Sequence, residues 1–165
     1  MIKDQRGEGV IELIDQTLKY TVGSNHPYAY FKSKSFEIHL DDIKVLGLYH
    51  TLLLDDELDV MVFVNASNEK YFIPITFDLE GLSFVKLCEL FNLDDFDLSS
   101  TWEEHEKGHS KIVLPLDLRG RPLYRRKNFI EYLIGLFLKF LQIIYVADGP
   151  LTKEIKSYQN KNPRQ

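Results

Sequence analysis

The sequence predicts an α+β fold: an antiparallel, strand-rich sheet or half-barrel capped by a helix, extended at the C-terminus by a strand, a loop and a long hydrophobic helix. Three features predict it. Short apolar and β-branched runs fill Val10 to Ile75, several alternating with polar residues, and period two marks a half-buried strand. Between Leu79 and Phe91 the apolar positions shift to Phe84, Leu87, Cys88 and Phe91, with Leu82 and Val85 beside them, a spacing that lines one helical face. Residues 129–147 then hold only three strongly polar side chains, Glu131, Lys139 and Gln142, so a helix there is apolar on nearly every side.

Taken in order, Val10 and Leu13, then Leu18, Tyr20 and Val22, form a first pair of apolar runs. Gly23-Ser24-Asn25-His26-Pro27 reads as a turn, because Gly and Pro punctuate the chain and Asn tolerates turn geometry. Tyr28 and Tyr30, then Phe36, Ile38 and Leu40, alternate with polar partners, and Asp41-Asp42 breaks the pattern before Val45–Tyr49. Asp55-Asp56-Glu57 reads as a solvated loop. The runs Val60–Val64 and Tyr71–Ile75 flank five polar or small residues, Asn65 to Glu69, which is a hairpin signal. Asp78 stands where an N-cap belongs, its carboxylate placed to accept from the first-turn amides. The helix closes near Asn92, ahead of an acidic loop holding Asp94, Asp95 and Asp97. A one-sided sheet and an amphipathic helix cannot bury their apolar faces separately, so the helix is expected to cover the sheet.

This order of elements, with the segments FEIHLDDIKVLGLYH, VMVFVNASNEKYFIPI and LEGLSFVKLCELF, resembles the pleckstrin-homology-like fold, especially its small bacterial versions, over residues 10–92. The resemblance implies a scaffold reused for phosphoinositide, peptide and protein binding and rarely for catalysis. It further implies that lipid-binding members cluster Lys and Arg between their first two strands. Here that stretch offers Lys19 ahead of the Gly23–Pro27 turn, with Lys32 and Lys34 beyond it.

The length of 165 residues suits a β-rich domain over residues 1–97 and an extension over residues 98–165 that either packs on the same core or forms a second small domain. With 44% hydrophobic residues there is enough apolar surface to offset the entropy of ordering, which excludes a disordered chain. Cys88 is the sole cysteine, so no disulfide closes within the chain, and its apolar neighbours mark it as a buried thiol. The N-terminal MIKDQRGEGVIEL lacks the apolar stretch of a secretory signal, so a cytoplasmic location is expected.

Charge is unevenly spread. Residues 1–118 carry 10 Lys/Arg against 22 Asp/Glu, a net of −12, whereas residues 119–165 carry 10 against 3, a net of +7. Such asymmetry implies a basic end that meets an anionic partner, or one that packs on the acidic body of the same chain or of a second copy. Nucleic acid is not an expected partner, because the main body is acidic.

In the extension, Ile112–Leu116 reads as a strand, with Pro115 favouring a sheet edge. A basic loop follows, and its Arg119, Arg121, Arg125, Arg126 and Lys127 are the candidate partner-binding residues. On a helix, Glu131, Gly135, Lys139 and Gln142 form one narrow stripe. The length of 129–147 just reaches across a bilayer, but three polar residues inside a span are costly. A helix lying in a membrane surface usually shows a broader polar face. The expectation is therefore a helix buried on most sides, by its own sheet or in a homodimer.

His105-Glu106-Lys107-Gly108-His109 matches the H-E-x-x-H pattern, in which two histidines four apart hold zinc and the glutamate activates water. Its surroundings, WEEHEKGHSK, offer no apolar helical face except Trp102, and Gly108 weakens a helix. A solvated polar loop is the plainer reading. No phosphate-binding glycine loop, nucleophile elbow or calcium loop is present. The function expected is a non-catalytic binding or scaffold module acting through protein contacts or self-association, without a cofactor. The alternatives are a zinc-dependent hydrolase using His105, Glu106 and His109, and an anionic-membrane-surface binder using the basic loop and the C-terminal helix.

Overall fold

The structure, a computed structural model, describes residues 9–23, 34–53, 56–74, 80–81, 84–91, 93, 110–125, 129–130, 133–134 and 150–158. The first hairpin joins β1 (Gly9–Ile14) to β2 (Thr17–Val22), with Ile14 opposite Thr17. Its two loop residues, Asp15 and Gln16, both have positive φ, 45° and 63°. That is the primed turn whose twist matches the strands it joins. β3 (Phe36–His39) pairs with β2, and a 3-10 turn at Leu40–Asp42 carries the chain onward. There the His39 Nδ1 accepts the Asp41 N–H at 3.2 Å.

The second meander is β4 (Ile43–Leu53), β5 (Asp56–Asn65) and β6 (Lys70–Pro74). β7 (Glu80–Gly81) lies parallel to β1, α1 spans Phe84–Leu90, and β8 (Ser110–Leu114) pairs with β4. A short α2 spans Lys153–Ser157. The result is two four-stranded sheets, β3-β2-β1-β7 and β6-β5-β4-β8, antiparallel apart from the β1–β7 pair.

The second sheet is apolar on both faces. In β5, Met61 and Phe63 face the first sheet, whereas Val60, Val62 and Val64 face the opposite way; β4 splits likewise into Leu46 and Leu48 against Val45 and Tyr49. On the inner side these residues meet Ile11, Leu18, Tyr20 and Ile38, joined by Leu87 and Phe91, and the Phe63 and Phe91 rings lie 6.0 Å apart. On the outer side they meet Leu118, Leu123, Tyr124, Leu151 and Ile155, with the Tyr49 and Tyr124 rings edge to face at 5.5 Å.

The free edge of β8 is covered from the same segment. The Ile112 N–H donates to the Arg121 carbonyl and the Gly120 N–H to the Ile112 carbonyl, each at 2.8 Å. Edge strands with unpaired amides invite unwanted pairing, and covering the edge removes that hazard.

The strand-rich α+β class and the 65–69 hairpin stand as the sequence predicts, and three details differ. The first pair of apolar runs is joined at Asp15–Gln16, and the turn expected at Gly23–Pro27 lies, apart from Gly23, outside the described residues. Asp56 and Glu57 are strand, opposite Leu53 and Leu52, because ladder pairing overrides the weak β-propensity of acidic residues. The helix does not begin at Leu79: Glu80 and Gly81 pair with Val10 and Ile11, so α1 is confined to Phe84–Leu90. Asp78 lies outside the described residues. The C-terminal strand runs Ser110–Leu114, ending before Pro115, whose missing N–H cannot extend the ladder.

Gly47 in β4 is a point of close approach between outer cover and sheet. A Cβ placed on it would stand 2.9 Å from the Leu123 Cδ2 and 3.2 Å from the Lys111 carbonyl oxygen. Gly47→Val is expected to lower stability by about 1–3 kcal/mol through overpacking, read in urea unfolding; an unchanged midpoint would show that Leu123 does not seat there.

Candidate docking surface

The outer cover has an unusual path. The Arg125 N–H donates to the Pro150 carbonyl at 3.1 Å, the Thr152 N–H donates to the Leu123 carbonyl at 3.2 Å, and Tyr124 bridges Leu151 antiparallel. The chain therefore leaves the second sheet at Arg125 and re-enters it beside the same point at Pro150. Tyr124, Leu151 and Ile155 are buried, so this base belongs to the outer core.

Just past the base, Phe129 and Ile130, and again Leu133 and Ile134, are helical. Their exposures are 74%, 67%, 48% and 53%. Residues four apart stack on a helix, so the pairs 129/133 and 130/134 make two adjoining rows. At about 100° per residue these rows cover an arc of roughly 140° with no polar side chain among the four. Burial by the chain's own sheet, expected for this helix, does not occur at these positions. The rest of 129–147, including Glu131, Lys139 and Gln142, lies outside the described residues.

The basic loop leads into this base at Arg125. Arg119, Arg121 and Arg125 are exposed. The Arg119 Nε donates to the Val113 carbonyl at 3.2 Å, tying the turn to β8. Arg121 pairs with Glu154 at 3.2 Å, tying it to α2. Arg126 and Lys127 lie outside the described residues.

Lys44 is the functional-looking residue that the sequence reading missed. It sits at the bulge between Ile43 and Val45 and is only 2% exposed. Its Nζ donates to the Asn68 Oδ1 at 2.7 Å and to the Tyr158 carbonyl at 3.4 Å. Loss of water around the ammonium pushes its pKa below the ordinary 10.5. Tyr158 in turn donates its hydroxyl to the Asp117 Oδ1 at 3.3 Å, and burial, helped by Asp117, pushes that phenol above 10.0. Lys44 thus fastens the end of α2 to the β5–β6 turn. The signal was a lone lysine between Ile43 and Val45 in a strand apolar on both sides.

Among the described residues no group of three or more His, Cys, Asp or Glu side chains converges as a metal site. His105, Glu106 and His109 lie outside the described residues. Cys88 is half-buried against the inner core. Among the described residues no helix is long and apolar enough to cross a membrane.

Two outcomes follow from these contacts. Unfolded, Lys44 holds its proton more tightly than it does folded, so the folded state gains stability as pH rises toward 10.5. The thermal midpoint of the natural chain should therefore climb relative to Lys44→Met across that alkaline range; a constant gap would mean the amine is as well solvated folded as unfolded. Arg121 and Glu154 are each 52% exposed, and such pairs contribute about 1 kcal/mol or less. Arg121→Glu should lower the midpoint slightly, and adding Glu154→Arg should restore it; failure to recover would show that the pair is incidental.

Comparison with protein-family models, with curated proteins and with solved structures finds no match for this chain.

Proposed function

We propose that this chain is a non-catalytic binding module: a pleckstrin-homology-like pair of sheets whose C-terminal part presents an apolar helical face for docking onto a surface outside the chain. One observation carries the reading, the exposure of Phe129, Ile130, Leu133 and Ile134 on consecutive turns. Single exposed apolar residues are ordinary, but large ones grouped on one face mark interaction sites. The element order supports the scaffold half of the proposal: two antiparallel three-stranded meanders in succession, then a helix whose Leu87 and Phe91 enter the core between the sheets.

The working surface is not the one that the family resemblance would suggest for lipid-binding members. The connection between the first two strands is the two-residue turn Asp15-Gln16, which offers no cation. Docking is assigned instead to the apolar positions Phe129, Ile130, Leu133 and Ile134, which follow the base at Arg125.

The test is the double substitution Phe129→Gln and Ile130→Gln in the full chain, prepared without detergent. Because both side chains are mostly exposed, the thermal midpoint should move by no more than about 2 °C. The natural chain should self-associate or partition with membranes on fractionation, and the variant should remain a free monomer. A natural chain that is itself a free monomer in both assays overturns the proposal.

A further inference from the structure

We propose that residues 150–158 form a strap that lifts off the second sheet as a unit while both sheets remain folded. The strap is independent of the docking reading, because only contacts of the outer cover are involved. Three observations lead to it.

The first is how lightly the strap is held. Among the described residues, two backbone hydrogen bonds join it to the body, from the Arg125 N–H to the Pro150 carbonyl and from the Thr152 N–H to the Leu123 carbonyl. Leu151 and Ile155 are its buried apolar side chains. Arg121 with Glu154, and the Tyr158 hydroxyl with Asp117, meet at solvent-exposed positions, where such contacts contribute little. By contrast, Val60–Val64 in β5 are paired with β4 on one side and β6 on the other.

The second is that closure leaves two polar groups in the seam without full partners. The Lys44 ammonium has three N–H donors. Its described acceptors are two neutral oxygens, the Asn68 Oδ1 at 2.7 Å and the Tyr158 carbonyl at 3.4 Å, and no carboxylate among the described residues pairs with it. Thr152 stands at the N-cap of α2, yet its hydroxyl makes no capping bond. The Thr152 Oγ1 is buried with no partner among the described residues. A charge buried without a counter-ion, or a hydroxyl buried without a hydrogen bond, is costly. Lifting the strap takes Tyr158 off Lys44 and returns Thr152 to water, which relieves that cost.

The third is that α2 depends on its docking. It has five residues, of which Ile155 alone is buried, and isolated helices so short are not stable in water. The helix therefore forms and seats in one step. The amides of Lys156 and Tyr158, bonded to the Thr152 and Ile155 carbonyls, are protected only while the strap is down. Opening also parts Arg125 from Pro150, so the base there is a seam that can separate and not a fixed clamp.

The measurement is native-state hydrogen exchange of the full chain in low and rising urea. Corrected for intrinsic rates, the amides of Arg125, Thr152, Lys156 and Tyr158 should exchange through one shared opening, at least tenfold faster than those of Val62 and Phe63. Their urea dependence should be shallower, because less surface is exposed. Thr152→Val keeps the shape of the side chain and removes the unpaired hydroxyl, and it should slow the Lys156 and Tyr158 amides by roughly fivefold. Strap amides with the protection and urea slope of β5 would overturn the proposal, since the strap would then leave only when the whole chain unfolds. Unequal, urea-independent exchange along 150–158 would overturn it too, as residue-by-residue fraying. Unchanged or faster exchange in Thr152→Val would show a hydroxyl already bonded in the closed state and overturn the part assigned to the seam.

Discussion

Both faces of the β4–β5 pair must be kept dry, and most of the architecture follows from how that is done. Val60 to Val64 are buried without exception, and alternate residues enter different cores. A strand of this kind reads as a continuous apolar run and needs cover above and below. The first sheet and α1 supply one cover. The other comes from 116–125 and 150–158, which are distant in sequence from each other and become neighbours only on this surface. The second sheet is therefore not completed by the first ninety residues: β8 extends it, the Gly120–Tyr124 stretch covers its edge, and Leu151 and Ile155 close its outer face.

Two residues let the outer cover come down without water. Gly47 has no side chain where Leu123 lands, so backbone and leucine approach to contact. Lys44 is the opposite case, a charge placed where only apolar groups belong. Burying an ammonium is costly unless it is hydrogen-bonded, and its two acceptors come from different elements, the Asn68 turn and the end of α2. Asn68 itself has a positive φ of 65°, a conformation asparagine tolerates better than most residues. A polar group that must find two separated partners specifies how the cover seats, which an apolar residue of similar volume would not do.

Much of this arrangement was legible from the chain, for physical reasons that can be named. The 65–69 hairpin was readable because turn residues and strand periodicity are local signals, and its Asn65–Glu69–Tyr71 hydrogen bonds are local as well. The Asp15–Gln16 turn was not, since neither residue carries the Gly or Asn signature of a primed turn. The helix is shorter than its periodicity predicts because Glu80–Gly81 is claimed by a partner strand some seventy residues earlier, a tertiary contact that local spacing does not carry. The five-residue α2 has no periodicity to read; Ile155 alone buries it. The arginine cluster was visible as composition, but the contacts of Arg119 with the Val113 carbonyl and of Arg121 with Glu154 depend on the fold. The apolar character of Phe129, Ile130, Leu133 and Ile134 was plain in sequence, whereas their exposure depends on the fold.

That exposure is tied to the stability of the outer cover. The same few hydrogen bonds that complete the outer cover also form the base that precedes Phe129 and Ile130 in the chain. Closing a loop costs entropy that grows only slowly with its length, so a long excursion is tolerated where its base is already bonded and buried. Arg119 and Arg121 are tied within the chain, to the Val113 carbonyl and to Glu154. On the proposed reading the two halves of the molecule are linked in one direction: a change that loosens the outer cover, at Gly47 or Lys44, would release the base and the docking positions beyond it, whereas polar substitutions at those positions would leave the sheets as they are.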